Sequence, residues 1–163
     1  MAFYKVSLDT WKAYNAKRDK RLPELNEDNY MKIVKPKRST LHSAGYDMFL
    51  PFDVDLKAGE SIVIPTGLRA ELPEKDTFLG IYPRSSLGFK YGMRLLNSVG
   101  VCDWDYNLNP DNEGLILVAF MVEKDMKLPL HSKFCQGIIQ KYGLMEDDDA
   151  SGIRTGGTGS TGI

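Results

Sequence analysis

Five short segments of this 163-residue chain carry side chains that a plain turn would not need. They are Ala44–Phe49 (AGYDMF), Pro83–Gly88 (PRSSLG), Gly100–Tyr106 (GVCDWDY), Phe134–Ile138 (FCQGI) and Arg154–Ile163 (RTGGTGSTGI). Arg84 offers a planar fork of donors that suits two oxygens of one anion. Asp103 could accept a backbone N–H in a turn. It could equally act as a general base, orienting and deprotonating a water molecule. Gln136 interrupts an apolar run, and a buried amide there must be hydrogen-bonded. Behind Arg154 come four glycines, three threonines and a serine, which cannot bury apolar surface. Glycine lets backbone approach oxygens closely and adopt positive φ. These residue types suit an anion that is wrapped by donors.

Such side chains need a scaffold, and the pattern between them is that of short strands. Leu68, Ala70 and Leu72 alternate with Arg69 and Glu71, the period of a half-buried strand. Further strands are predicted at Tyr30–Val34, Asp76–Tyr82 and Lys133–Lys141. Gly114–Glu123 is apolar on both faces, so a second sheet or another subunit should cover each side. Pro and Gly punctuate the strands, with no internal repeat, which predicts an all-β sandwich or barrel. Before it, a short helix is expected near Asp9, with Trp11 and Tyr14 on one face, and Lys17–Asp28 reads as an exposed loop. Net charge is −1 with pI near 6.1, so no basic field draws the chain to nucleic acid or to a membrane. The two cysteines lack metal-ligand spacing and are expected as buried reduced thiols. With no apolar leader and no long apolar run, the expected location is the cytoplasm, or that of the host if the source is viral.

In order and content, the five segments resemble the five motifs of the trimeric dUTPase family, over residues 31–163. The resemblance implies a jelly-roll-like β domain over 31–150, a short helical N-terminal extension over 1–30, and a flexible arm over 151–163 that closes on substrate. The implied reaction is Mg2+-dependent hydrolysis of dUTP to dUMP and pyrophosphate, in a homotrimer with active sites between subunits. Asp103 then directs water in line at the α-phosphorus. Arg84, Ser85 and Ser86 hold phosphates, Ser86 through its N–H, and Gln136 meets a phosphate oxygen. Tyr106 packs under deoxyribose, leaving no room for a 2′-hydroxyl, and Asn97 faces the pyrimidine. Backbone groups of Gly100, Val101 and Cys102 read the uracil edge. Cytosine reverses the donors and acceptors of that edge, and each unmatched buried group costs ~1–3 kcal/mol. In the arm, Arg154 clamps the γ-phosphate while Gly156, Gly157, Ser160 and Thr161 line the triphosphate. Asp47 reaches magnesium through water.

Some positions depart from the family pattern. Thr158 stands where an aromatic ring usually stacks on uracil, a contact worth ~1–3 kcal/mol elsewhere. Asn107–Glu113 (NLNPDNE) interposes a longer loop after Tyr106, and Asp105 reads as an Asx-type turn former. Two competing functions follow. A dCTP deaminase shares the fold and the Arg-Ser-Ser element but needs a catalytic glutamate on the strand that here reads Leu115–Phe120, without an acid. A regulatory binding module would use the extension and the longer loop to contact a protein partner.

Overall fold

The computed structural model describes residues 1–156, at Leu108 the backbone only. Ala2–Lys5 forms strand β1, which runs antiparallel to β5 (Leu68–Glu71) with Phe3 opposite Ala70. The sequence pattern predicts only a helix in this region. The strand forms because Phe3 and Val6 find seats in the common apolar core. Helix α1 (Leu8–Ala13) follows, with the Ser7 hydroxyl accepting the Thr10 N–H as its cap. Trp11 is fully buried, and its indole N–H donates to the Asn29 side chain (2.8 Å) and the Asn26 carbonyl (3.1 Å). Gly67 turns beneath that ring at φ +70°, where an added Cβ would sit 2.2 Å from Ile33. Trp11→Ala is expected to destabilise the fold by ~3–5 kcal/mol, measured by urea unfolding, because it removes a large, fully buried side chain.

Two expectations are corrected here. Tyr30–Val34 is not a strand; helix α2 (Glu27–Met31) occupies its start. Asn26 and Asn29 cap that helix reciprocally, side chain to backbone in both directions, which commits the chain to helix before the β-branched Ile33 and Val34 can extend it. Nor is Lys17–Asp28 wholly exposed, since Leu22 and Leu25 lie in the core.

From Tyr46 onward the elements are mainly short strands. Strands β2 (Tyr46–Phe49), β11 (Lys133–Lys141), β6 (Thr77–Pro83) and β8 (Gly100–Cys102) pair antiparallel in that order. A second sheet joins β4 (Ser61–Pro65), β9 (Leu117–Met121) and β7 (Arg94–Leu95). Strands β3 (Val54–Leu56) and β10 (Met126–Leu128) form a separate pair. The sheets share one core that includes Leu50, Leu56, Ile64, Leu79, Phe120 and Phe134, each at 0% exposure. They pack as a sandwich of small sheets and do not close into a barrel. Helix α3 (Ser85–Tyr91) continues directly from β6 and ends at Gly92, whose φ of +62° suits a residue without Cβ.

Candidate active site

Three segments distant in sequence meet at the C-terminal end of β6. On β11, Gln136 stands opposite Asp47 of β2 on one side and Tyr82 of β6 on the other. Two residues past Tyr82, Arg84 forms the N-cap of α3, so Ser85 and Ser86 supply the first-turn amides that an α-helix leaves without intrahelical partners. Ser39, Asp47, Arg84, Ser85 and Gln136 all line one recess of about 140 Å³. Gln136 donates weakly to the Pro83 carbonyl at 3.4 Å. An added Cβ at Gly45 would lie 2.4 Å from its Oε1, so a side chain there would displace the amide from this position.

Asp47 organises the recess. It is 6% exposed, and each of its oxygens has a partner. The Arg84 Nε is 3.3 Å from Oδ1, the Lys133 Nζ is 2.8 Å from Oδ2, and the Ser39 hydroxyl donates to Oδ2 at 2.6 Å. Burial pushes its carboxyl upward, but hydrogen bonds from Lys133 and Ser39 and the charge of Arg84 prevail and hold it below the ordinary aspartate range. A carboxylate neutralised by two cations has little charge left for a divalent ion. The described residues also contain no cluster of three acidic, His or Cys side chains. The donor set therefore fits only the indirect role expected of Asp47, reaching through water toward an ion held by other oxygens.

The second group lies at the other end of β6. Strand β8 places Cys102 opposite Leu79 and Gly100 opposite Ile81. Asp103 follows as the cap of a 3-10 turn, Trp104–Leu108, which carries Asp105 and Tyr106. Arg154 reaches this turn because β11 ends there, with Lys141 opposite Thr77. Its Nη2 is 2.6 Å from Asp103 and its Nε 2.7 Å from Asp105, with the guanidinium 5.8 Å from the centre of the Tyr106 ring. The hydrogen bond that the arginine donates to Asp105 is the largest of the effects that raise its pKa. Asp105 is thus an ion-pair partner as well as a turn residue, a role that sequence reading missed. Asp105→Asn should loosen this arginine, leaving Asp103 as its ion-pair partner, so trypsin is expected to cleave after Arg154 several-fold faster in the nucleotide-free protein.

The remaining expected residues are placed as follows. Asn97 and Val101 are exposed, and Gly100 backs onto Ile81, where an added Cβ would lie 3.0 Å from the isoleucine Cβ. Asn97 joins β7 to β8, which belong to different sheets, so the segment from Asn97 to Tyr106 is a bridge between sheets and not a self-paired hairpin. Tyr106 donates to the Leu115 carbonyl at 2.8 Å. Both cysteines are free thiols, and burial pushes that of Cys102 up to about 12. Gly156 ends the described arm; Gly157, Thr158, Ser160 and Thr161 lie outside the described residues.

One chain does not bring its two groups together. Arg84 lies five positions along the chain from Leu79, whose partner Cys102 immediately precedes Asp103. At ~3.3 Å per residue, Asp103 and the recess stand on the order of 15–20 Å apart along the strands.

A small antiparallel β protein with an arginine- and amide-lined recess, and a carboxylate pair served by a C-terminal arm, is the class these observations define. Residues 30–162 match the dUTPase family model. The deoxyuridine 5′-triphosphate nucleotidohydrolase of Lactococcus lactis subsp. lactis is 40% identical over 131 residues, covering 78% of this chain and 87% of the relative. That of Desulfitobacterium hafniense is 36% identical over 137 residues, with the same coverage. The solved dUTPase of Streptococcus mutans superposes with a TM-score of 0.67 at 29% identity, over 90% of this chain and 99% of that one. The chain belongs to the dUTPase family.

Proposed function

We propose that this protein hydrolyses dUTP to dUMP and pyrophosphate. One observation carries the reading: Arg84, Ser85 and Gln136, expected as phosphate ligands, converge with Asp47 on a single recess although they come from β6–α3, β11 and β2. Asp103 accepts a proton from water as the water oxygen bonds to the α-phosphorus. The bond from that phosphorus to the bridging oxygen breaks, and pyrophosphate leaves. Arg84, anchored on Asp47, balances the charge of the phosphates, and Tyr106 underlies the sugar. Arg154 leaves the carboxylates when the triphosphate arrives, since a polyphosphate offers it more negative charge than two aspartates do. A magnesium ion, when bound, would offset phosphate charge, with Asp47 as the residue that would meet it through water.

The distance between Asp103 and the recess supports a homotrimer, with the recess of one copy facing the base of another. Leu117, Ala119 and Met121 support it too, since they leave the outward face of β9 apolar and only half-buried. The location we propose is cytoplasmic; no described helix is long and apolar enough to cross a membrane.

The test is incubation with dUTP, dCTP, dTTP and UTP plus Mg2+, following pyrophosphate and ammonia. Pyrophosphate from dUTP alone is the expected result. Ammonia from dCTP would select the deaminase, which β9 argues against because it carries no acid. Silence with all four would favour the binding module.

A further inference from the structure

The N-terminal segment lies outside the family match, which begins at residue 30, and the loop Asn107–Glu113 has no part in the chemistry above. The two features touch. Glu113 accepts the backbone N–H of Ser7 at 2.9 Å through Oε2. Its Oε1 accepts the hydroxyls of Ser7 and Thr10, the latter at 2.6 Å. One carboxylate thereby fastens the start of α1 across more than a hundred residues of sequence. Burial raises its pKa, but the bonds from Ser7 and Thr10, with the charge of Arg69, hold it below the ordinary glutamate range.

Glu113 occupies this place at a conformational cost. Its φ is +55°, a region that a side chain with Cβ rarely adopts. Such strain persists only where surrounding structure imposes it. Gly114 follows at φ +73°, packed so closely on Tyr106 and Asn107 that an added Cβ would lie 2.6 Å from the Asn107 Cα. The Glu113 N–H donates to the Asn109 carbonyl, and the Asn109 N–H to the Tyr106 carbonyl, so the loop winds back on the turn that carries Tyr106. Asn112 donates to the Tyr106 hydroxyl at 3.2 Å. A second tie runs beside the first: Arg69 donates to Asn107 at 2.7 Å while its guanidinium lies over the ring of Tyr4 on β1. Beyond α1, Tyr14 is half-buried, and burial and the neighbouring Tyr106 hold its hydroxyl above the ordinary range.

We propose that Glu113 is a positioning residue for sugar recognition: by clasping α1 to the loop behind Tyr106, it fixes the ring against which the deoxyribose rests. The inference rests on the reading in which Tyr106 underlies the sugar. A ring excludes a 2′-hydroxyl only while it cannot retreat. With the clasp open, the loop gains freedom at the hydroxyl end of Tyr106, and a ribose is admitted at the expense of deoxyribose fit.

The test compares kcat/KM for dUTP and UTP in the full-length protein and in Glu113→Ala, Glu113→Gln and Thr10→Val. In Glu113→Ala the preference for dUTP over UTP is expected to narrow roughly tenfold, through a higher KM for dUTP with kcat within about twofold. Glu113→Gln keeps one acceptor oxygen and should recover part of the preference. Thr10→Val removes one donor without changing side-chain shape, so it carries the test if Glu113→Ala does not fold. A lower melting temperature with an unchanged dUTP-to-UTP ratio in these variants makes the clasp merely structural and overturns the proposal. If the wild-type protein turns over neither nucleotide, the reading of the site itself is overturned, and the two failures are told apart by that control.

Discussion

Asp103→Asn is expected to lower kcat for dUTP by ~10²–10⁴-fold, while a non-hydrolysable dUTP analogue still binds within several-fold of wild type. Asparagine keeps the shape and one acceptor oxygen but cannot take a proton from water. Asp103 occupies the N-cap position of the turn that begins at Trp104, but its side chain makes no cap hydrogen bond, so the fold should tolerate the change. In the nucleotide-free chain Asp103 is also paired with Arg154 at 2.6 Å. That contact occupies one of the carboxylate oxygens until the triphosphate draws the arginine away. The substitution should therefore loosen the arm of the free protein as well as lower turnover, and trypsin cleavage after Arg154 reads the first effect separately. Equal turnover in wild type and Asp103→Asn would remove Asp103 from its role.

How far the sequence foretells this molecule depends on the range of each interaction. Gln136 and Asp47 stand out because each is a polar residue in an apolar run, and strand register alone then brings them side by side. β11 falls where its pattern predicts, at Lys133–Lys141. β1 is only four residues long, too short for a period to show, and its partner strand lies more than sixty residues away. The capping signal of α2 was present as Asn26-x-x-Asn29, but the apolar pair Ile33 and Val34 suggested a strand to anyone weighing β-propensity alone. Pairings such as Arg154 with Asp105, or Glu113 with Ser7 and Thr10, have no local signature. They depend on where β11 ends and on which way a strained loop turns.

Mixing two inactive variants should restore activity. Arg84→Ala loses the phosphate fork, and Asp103→Asn loses the base; each alone is expected to be nearly inert. If one chain supplied both groups, every site in a mixed oligomer would still lack one of them. The β6–β8 register sets the two groups on the order of 15–20 Å apart in a single chain, longer than the reach from an attacking water to a triphosphate's own oxygens. On the proposed reading, a working site joins the base of one copy to the recess of a neighbour. With equal amounts unfolded and refolded together, half the copies keep the base and half keep the arginine. An interface built from one of each therefore arises in about a quarter of the sites, and the mixture should recover about a quarter of wild-type activity. The recovery must require subunit exchange, so combining the two variants without unfolding should give far less. No recovery after co-refolding, from variants that each still form oligomers, would place both groups in one chain's site and remove the shared interface from the mechanism.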